Sequence, residues 1–409
     1  LCLHDPVWYD HMPFIPFPPD WPMFTPKDRM GDWLEMYARV LQLNYWTESR
    51  CTRATFDEDR SQWTIDITRA GQPQTITARH LVIATGMSGY PNMPAFEGDA
   101  LFEGPRVHSS DYRGGRDFRG QRVAVIGSNT SAHDICQDLW EHDAEVTMIQ
   151  RSGTLVTQSE TVLECLLGGL YSEDALDRGI DTETADFIGT TWPHRLVERR
   201  MKEVCTEMRR RDADLHDRLS RAGFLHDFGP DETGLPLKSI RQGGGFYINV
   251  GASELIADGE VALKPGRSIQ ALERDGLRLD DGHKVEADAI IYATGYRSMN
   301  EFVADIVGRA VADEVGRCWG VGSGVEKDPG PWEGELRNMW KPTAHPALWF
   351  QGGNLAQSRH FSRFLALQIK ARLEGIASDV WHRPGTSAGA HPEQQPSRAP
   401  VSLREPQTA

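Results

Sequence analysis

Residues 121–132 constrain the fold of this chain more than any other stretch, because they join a buried strand to a tight turn and a helix. Residues 123–126 form a short, wholly apolar run, which is typical of a parallel strand covered on both faces. Gly127 follows where such a strand must turn, and a helix-like segment runs on to His142. The free N–H groups of a helix N-terminus suit a pyrophosphate. The stretch therefore predicts an α/β unit that binds an anion beyond its strand.

The turn after this strand matches the dinucleotide fingerprint G-x-G-x-x-G/A at two of its three key positions. Gly127 and Ala132 occupy the first and third positions, and Asn129 replaces the second glycine. Asn tolerates a left-handed backbone better than any residue except Gly, so we expect the turn to survive with Asn129, with somewhat less room for the phosphate. The residues predicted to bind the nucleotide here are Gly127, Ser128, Asn129, Thr130, Ser131 and Ala132.

A cation follows the next strand of the same unit. The predicted strand 145–149 ends in Gln150, Arg151 and Ser152, so an arginine stands where an NAD site places an acidic residue on the ribose. Arg151 favours a 2′-phosphate, and with Ser152 it predicts NADP. The alternative is an ordinary βαβ unit in which Arg151 is a solvated charge at a strand end.

Two further apolar runs end in the same three residues, one before and one after the fingerprint. Small residues at a strand end let the backbone approach a bound cofactor closely. Because the two copies flank residues 121–151, we expect the chain to leave one nucleotide-binding domain, build a second and return. The predicted fold is α/β with two Rossmann-like domains in three layers. The six residues are Ala84, Thr85, Gly86, Ala293, Thr294 and Gly295.

Charge and composition exclude several classes of protein. The net charge of −15 over 409 residues argues against a nucleic-acid or anionic-membrane partner. No run of eighteen apolar residues is present, so no membrane span is predicted. The six cysteines have no metal-binding spacing and suit reduced thiols in a cytoplasmic protein. Because Leu1 lies within sequence that looks structured, we expect further residues before it.

A second motif links the first apolar run to the fingerprint. The spacing F-x-G-x-x-x-H-x-x-x-Y resembles the signature of the flavin-containing monooxygenase family, whose Baeyer–Villiger relatives carry Trp at the last position. The pattern L-x-L-H-x-P of residues 1–6 and P-F-P of residues 16–18 is similar to YUCCA-type members. The resemblance covers roughly residues 1–375. The residues of the second motif are Phe102, Gly104, His108 and Tyr112.

The resemblance implies an enzyme that uses FAD and NADPH. NADPH would reduce the flavin, O2 would form a C4a-hydroperoxide, and one oxygen atom would pass to a small organic substrate such as an amine, a sulfide, a 2-oxo acid or a ketone. It also implies a helix N-terminus against the flavin at Gly353, Asn354 and Leu355. The candidate catalytic residues are His4, Asn354 and His108; for His108, a structural role and a gating role between domains are equally open.

The resemblance also assigns domains. We expect a first part of the FAD domain at 1–115, an NADP domain at 116–287 with a helical insertion at 153–245, a return to the FAD domain at 288–380 and a disordered tail at 381–409. In the insertion, Arg241 could meet NADP phosphate, although a surface loop is the simpler interpretation of residues 235–246. A homodimer is compatible with the sequence.

The sequence departs from the family in one respect. The family's first G-x-G-x-x-G, which grips the FAD pyrophosphate, has no counterpart before Ala84. The FAD domain is therefore predicted to be N-terminally incomplete in this chain. Three alternatives remain: a Baeyer–Villiger monooxygenase, an NADP-binding reductase without flavin, and an inactive fragment that serves as an interaction domain.

Overall fold

The structure is a computed structural model that describes residues 2–192, 194–320 and 336–376. The predicted tail 381–409 lies outside the described residues. The strands are β1 (Ser49–Asp57), β2 (Gln62–Arg69), β3 (Gln72–Ala78), β4 (Leu81–Ile83), β5 (Arg106–His108), β6 (Arg122–Ile126), β7 (Glu145–Gln150), β8 (Leu155–Gln158), β9 (Phe246–Asn249), β10 (Ala262–Pro265), β11 (Ile269–Glu273), β12 (Gly276–Leu279), β13 (Lys284–Glu286), β14 (Ala289–Tyr292) and β15 (Leu348–Phe350). The helices are α1 (Val7–Asp10), α2 (Lys27–Val40), α3 (Thr130–Glu141), α4 (Ser159–Val162), α5 (Glu173–Asp177), α6 (Thr182–Thr190), α7 (His194–Arg211), α8 (Ala213–Arg221), α9 (Leu235–Gln242), α10 (Ala252–Ala257), α11 (Asn300–Ile306), α12 (Arg309–Val315) and α13 (Leu355–Leu373).

A parallel five-stranded sheet forms the centre of the second domain. Its order is β10-β7-β6-β14-β5. Residues 123–126 of β6 are buried, as expected of a strand covered on both faces, and α3 packs on the sheet through Ile135 and Leu139. The α/β fold and the strand–turn–helix unit predicted from residues 121–132 are confirmed.

Two strands lie in a different domain from the one predicted. Residues 288–380 and 1–115 were assigned to the first domain, yet β14 pairs with β6 on one side and with β5 on the other. Ile291 lies opposite Val125 and Val107 in this sheet. The apolar sequence of β14 predicted a buried strand. It could not predict which strands lie beside β14, because the order of strands in a sheet depends on residues far apart in the chain. The boundaries predicted at 115 and 287 are therefore wrong for these two strands, and the chain returns only after Tyr292.

The first domain contains a smaller parallel pair, β4 and β15, beside the antiparallel sheet β1-β2-β3. Leu348 and Phe350 of β15 pack in one core with Trp63, Met299 and Val303. Between residues 2 and 83, the described chain forms α1, α2 and antiparallel strands before β4, and no parallel strand there leads into a helix. The strand–turn–helix unit that binds FAD phosphate in the family is therefore not found in that segment.

The insertion between β7 and β10 is largely helical, as predicted for residues 153–245. Its parallel strands β8 and β9 support helices α4 to α9, and α7 presents Val204 and Met208 to the same apolar cluster as Leu155. Residues 235–242 form the helix α9, which ends at Gly243 with a left-handed backbone (φ 69°). The prediction of a surface loop across this segment is wrong, because its spaced apolar residues Leu235 and Leu237 are buried against the insertion.

Candidate functional site

A cavity of about 1600 Å³ opens where strands of both domains end. Most of the segments predicted to bind a cofactor line this cavity, because the carboxyl ends of parallel strands lie at one edge of a sheet. Turns after β4, β6, β7, β14 and β15 all contribute to its wall. The predicted residues that line it are His4, Thr85, Gly86, Asn129, Thr130, Ser152, Thr294, Gly295, Gly353 and Asn354.

The fingerprint turn owes its geometry to one glycine. Gly127 has φ 130°, and a Cβ there would lie 2.3 Å from the carbonyl oxygen of Ala293 on β14. No side chain fits in that space, so glycine is required for the turn to pass β14. Ala132 lies in the first turn of α3 and is fully buried in the core between this helix and the sheet. The first and third fingerprint positions therefore serve backbone and helix packing, as the motif demands.

The turn survives with Asn129, which does not use the left-handed backbone that asparagine tolerates. Asn129 is extended (φ −95°, ψ −169°) and precedes α3 as its N-cap residue. Its side-chain oxygen accepts a hydrogen bond from the Thr154 hydroxyl (3.2 Å), which also contacts the buried Ser128 hydroxyl (2.8 Å). The side chains thus hold the turn while the backbone at Asn129 and Thr130 faces the cavity. Ser131 is exposed in the first turn of α3.

Arg151 lies just beyond β7 with an exposed side chain, and it forms no ion pair with any described residue. Ser152 is exposed at the cavity wall. Arg151 does not line the cavity, but β7 pairs with β6, so Arg151 stands at the same sheet edge from which α3 starts. An unpaired guanidinium there can accept a phosphate in two-point contact. This arrangement fits the predicted 2′-phosphate site.

The two Ala-Thr-Gly turns end in the same backbone conformation. Gly86 and Gly295 both have φ 78°, and a Cβ at either would meet nothing within 4 Å, so both face open space in the cavity. The Thr294 hydroxyl donates to the Asn92 carbonyl (2.5 Å), which fixes the second turn. Ala84 is exposed and Ala293 is buried, and neither lines the cavity.

His108 is a structural residue by its contacts. It is buried at the end of β5, its Nδ1 accepts from the backbone N–H of Ser110 (3.1 Å), and its Nε2 therefore donates to the Gly295 carbonyl (3.0 Å). Both ring nitrogens are occupied, and the side chain does not line the cavity. The structure thus removes the reason to consider His108 a catalytic candidate and favours the structural interpretation.

The rest of the second motif packs around the same sheet. Gly104 approaches β14 so closely that a Cβ would lie 2.1 Å from the Asp288 carbonyl oxygen. Phe102 is buried, and the Tyr112 hydroxyl donates to Asp138 of α3 (2.5 Å). The spacing of this motif therefore holds β5, β14 and α3 together, and none of its residues lines the cavity.

The last strand–helix junction is built as predicted. Asn354 caps α13: its side-chain oxygen accepts from the Gln357 N–H (2.9 Å), and Gln357 reciprocates at the Asn354 N–H (3.0 Å). Gly353 has φ 92°, and a Cβ there would lie 2.6 Å from the Gln357 side-chain oxygen. Leu355 packs on the apolar cluster of Val7, Phe17 and Met30. The N-terminus of α13 thus opens on the cavity beside the N-terminal segment.

Sequence reasoning missed two cavity residues in the N-terminal segment. Asp5 and Tyr9 line the wall next to His4, and the Asn354 side-chain N–H donates to the Tyr9 hydroxyl (3.3 Å). Burial raises the pKa of the Asp5 carboxyl. Behind them, Asp10 has a pKa raised to about 8 by burial and by the charge of Asp5. The Pro- and aromatic-rich pattern of residues 1–25 gave no period from which these neighbours could be inferred.

The insertion supplies the opposite wall. Its contribution is mainly apolar, from a π-helical turn at Leu163–Leu167 and from α7. Arg241 also borders the cavity, but its guanidinium binds Asp231 and Glu198 (2.8 Å each). The suggested contact of Arg241 with NADP phosphate is therefore not supported. The apolar residues in this wall are Cys165, Leu166, Leu167, Leu170, Ile188, Val197 and Met201.

The described residues contain no group of three His, Cys, Asp or Glu side chains that could hold a metal ion. No helix within the described part of the chain is long and apolar enough to cross a membrane. All six cysteines are unpaired thiols.

Comparison with known proteins places this architecture in a class. Residues 24–195 match the family model described as pyridine nucleotide-disulphide oxidoreductase. The fold is similar to a flavin-containing monooxygenase from Stenotrophomonas maltophilia (17% identity, TM-score 0.55, 91% of this chain and 85% of the other) and to a cyclohexanone monooxygenase from Rhodococcus sp. Phi1 bound to NADP+ (15%, 0.58, 91% and 76%). The fold is therefore that of a two-domain nucleotide-dependent oxidoreductase.

Sequence relatives narrow the class to a family. The chain is 31% identical over 303 residues to indole-3-pyruvate monooxygenase YUCCA8 from Oryza sativa and 29% identical to a probable indole-3-pyruvate monooxygenase, YUCCA9, from Arabidopsis thaliana. These alignments cover 73% of this chain and 64–65% of the relatives, so the chain spans about two thirds of their length. The comparisons support the flavin-containing monooxygenase family, which the sequence motifs predicted.

Proposed function

We propose that this protein is an NADPH- and FAD-dependent monooxygenase that inserts one oxygen atom from O2 into a small organic substrate. One observation carries the proposal: the fingerprint turn of the second domain and the α13 N-terminus of the first domain open on the same cavity. A nicotinamide bound from one side and a flavin bound from the other would meet there. The names of the sequence relatives agree with this chemistry.

The residues fit NADPH more completely than FAD. The α3 N-terminus at Asn129 and Thr130 would hold the pyrophosphate, and Arg151 with Ser152 the 2′-phosphate. The residues that would lie beside the flavin of FAD are Thr85, Gly86, Gly353, Asn354 and Leu355. Residues 2–83 contain no strand–helix unit that would bind the FAD phosphates. Bound flavin would supply the oxygen activation. The protein would orient the cofactors, keep water out through the apolar insertion wall and donate hydrogen bonds near α13.

The direct test is visible absorbance of the purified chain after incubation with FAD and desalting. We expect retained flavin to bleach when NADPH is added without oxygen and to regain its colour when air is admitted. A chain that retains flavin but shows no bleaching with NADPH would contradict the proposal. Arg119→Ala, which alters an exposed ion pair with Asp143 away from the cavity, is the matched control for surface charge.

A second candidate function is that of an NADP-binding reductase without flavin. The observation that favours it is that the described residues before β4 lack the FAD phosphate-binding unit. That function requires NADPH binding with no retained flavin absorbance in the same experiment. Baeyer–Villiger oxygenation of ketones is the other variant, and its products distinguish it from transfer of oxygen to nitrogen or sulfur.

A further inference from the structure

Helix α9 is tied to the nucleotide side of the cavity. The buried side chain of Lys238 forms an ion pair with Asp227 and donates to the Asp227 backbone carbonyl (3.1 Å). Asp227 packs on the turn after β7, where a Cβ added at Gly153 would lie 2.8 Å from the Asp227 Cβ. After α9, the carbonyl of Phe246 accepts from the Thr130 hydroxyl at the start of α3 (2.9 Å). The helix is therefore connected to both turns of the predicted nucleotide site.

α9 is also held firmly within the insertion. Its residues Leu235 and Leu237 are buried. The guanidinium of Arg241 forms ion pairs with Asp231 and Glu198 (2.8 Å each). A helix fixed by apolar burial and by ion pairs moves with the elements packed on it, because a densely packed interior transmits a displacement. A shift of α9 would therefore shift the nucleotide side of the cavity with it.

The C-terminal end of α9 touches the first domain. The indole N–H of Trp319 donates to the Ser239 carbonyl (2.9 Å), and this is the one hydrogen bond between α9 and the first domain among the described residues. Gly243 fits between Trp319 and Met87, since a Cβ there would lie 3.3 Å from the Trp319 Cδ1 and 3.1 Å from the Met87 Cε. Met87 follows Gly86 in the cavity-lining turn after β4, on the side where the flavin would bind. α9 thus connects the nucleotide side to the flavin side.

Trp319 is held in a fixed position by the first domain. It is buried, and its backbone has φ 69°, which a bulky residue rarely adopts. Its N–H donates to the Arg337 carbonyl (3.0 Å), and its own carbonyl accepts from the Arg337 side chain (3.1 Å). Its ring meets Trp340 edge-on (centroids 6.0 Å apart), and Trp340 stacks on Phe361 of α13 (4.3 Å). Such backbone strain persists only where the surroundings impose it, and here it accompanies an indole N–H that binds α9.

We propose that Trp319 is a positioning residue that sets the separation between the two cofactor-binding sides of the cavity. Through Ser239 it fixes α9, and α9 fixes the nucleotide turns relative to the turn after β4. The inference rests on the proposed function, in which NADPH passes a hydride, two electrons with one proton, to the flavin and becomes NADP+. A misplacement of about 1 Å can cost about a hundredfold in rate. Trp319 therefore governs the rate of flavin reduction and not the affinity for either cofactor.

The experiment compares Trp319→Phe with the control Trp63→Phe. Each variant loses one hydrogen bond from a buried indole to a backbone carbonyl, since Trp63 donates to Ala347 (3.1 Å), but Trp63 does not line the cavity. Anaerobic stopped-flow absorbance gives the rate constant of flavin reduction and the dissociation constant of NADPH. Hydrogen–deuterium exchange of residues 239–245 measures, without turnover, how firmly the end of α9 is held. Thermal melts confirm that each variant is folded.

We expect Trp319→Phe to slow flavin reduction by about ten- to a hundredfold and to leave the NADPH dissociation constant and FAD retention within about twofold. Exchange of residues 239–245 should become about three- to tenfold faster, which is the effect of one neutral hydrogen bond. Trp63→Phe should change none of these quantities.

A second variant displaces α9 and leaves the indole N–H in place. Gly243→Ala adds a methyl group against Met87 and Trp319, at a residue whose φ is 69°. The matched control is Gly259→Ala, which has the same backbone strain (φ 82°) but adds a carbon with nothing within 4 Å. We expect Gly243→Ala to slow flavin reduction by about tenfold or more at unchanged NADPH affinity, and Gly259→Ala to change neither.

Three results would overturn the inference. Trp319→Phe could reduce flavin at the wild-type rate, Trp63→Phe could lose as much, or Trp319→Phe could weaken NADPH binding at an unchanged rate, which would make Trp319 a cofactor contact. Failure of the proposed function shows in the wild-type chain, as flavin that is not retained or not reduced by NADPH. In that case, equal exchange of residues 239–245 in the wild type and Trp319→Phe would separately disprove that Trp319 holds α9.

Discussion

Arg151 carries the choice between the two nicotinamide cofactors. It follows β7 with an exposed side chain that has no ion-pair partner among the described residues, near the fingerprint turn that would hold the pyrophosphate. The distinction between NADPH and NADH is one phosphate, and an arginine is the side chain best shaped to bind it. Hydrogen bonds to a charged partner contribute about 1.5–3 kcal/mol each.

Replacing Arg151 by Ala should therefore weaken NADPH binding by about ten- to a hundredfold and leave NADH binding within about twofold. The measurement is a titration of nucleotide fluorescence with each cofactor. Arg119→Ala serves as the control for an exposed arginine of the same domain, and it should change neither affinity. Equal losses for NADPH and NADH in Arg151→Ala would disprove the role of Arg151 at the 2′-phosphate.

Helix α13 is the element that joins separate parts of the chain. Its Arg359 binds Asp186 of α6 and the carbonyl oxygens of Tyr9 and His11 (2.6 and 2.5 Å). Tyr171 donates to the same carboxylate (2.9 Å). The C-terminal helix, the insertion and the N-terminal segment thus meet at one buried ion pair. Removal of one member leaves a buried charge without a partner, which is far costlier than loss of an exposed pair.

We expect Arg359→Leu to lower the free energy of unfolding by about 3–5 kcal/mol in urea denaturation. The control lies one turn further along the same helix: Arg363 pairs with Glu183, another residue of α6, but both side chains are more than half exposed. Arg363→Ala should cost less than about 1 kcal/mol. The double variant Arg359→Leu with Asp186→Leu should recover part of the loss. Similar costs for Arg359→Leu and Arg363→Ala would argue against a buried clamp.

Elements with a local signal were predictable from the sequence. The apolar run of β6, the glycine after it and the helix α3 that follows each depend on residues that are close in the chain, and all three stand in the structure. The neighbours of β14 were not predictable, because any buried parallel strand reads alike wherever it lies in a sheet. The segment that carries Asp5 and Tyr9 has no periodicity, and its place in the cavity depends on contacts with α13.

The stability of the whole molecule should depend on pH through histidines that are buried without charge. His133 is fully buried in the core of the second domain, with its ring stacked on Tyr247 (centroids 4.1 Å apart). Burial lowers its pKa to about 4, against an ordinary value of 6.5. Burial also lowers the pKa of His226 to about 4. The unfolded chain therefore binds more protons between pH 6.5 and 4, and stability must fall as pH falls through that window.

For His133 alone, this linkage amounts to about 2 kcal/mol between pH 7 and pH 5. We expect the wild-type chain to lose at least that much more stability over this range than His133→Phe, measured by urea denaturation at each pH. Phenylalanine preserves the stacking on Tyr247, and the Nε2 atom it removes has no hydrogen-bond partner in the structure. It also removes the Nδ1 contact with the Asn129 carbonyl (3.2 Å), so the comparison is of the slopes with pH and not of the absolute stabilities. Asp10 acts in the opposite sense, because its pKa is raised to about 8 and its buried neutral form stabilises the fold at lower pH. Asp10→Asn should therefore steepen the acid loss. Parallel pH profiles for the wild type and His133→Phe would instead show that folding does not lower the pKa of His133.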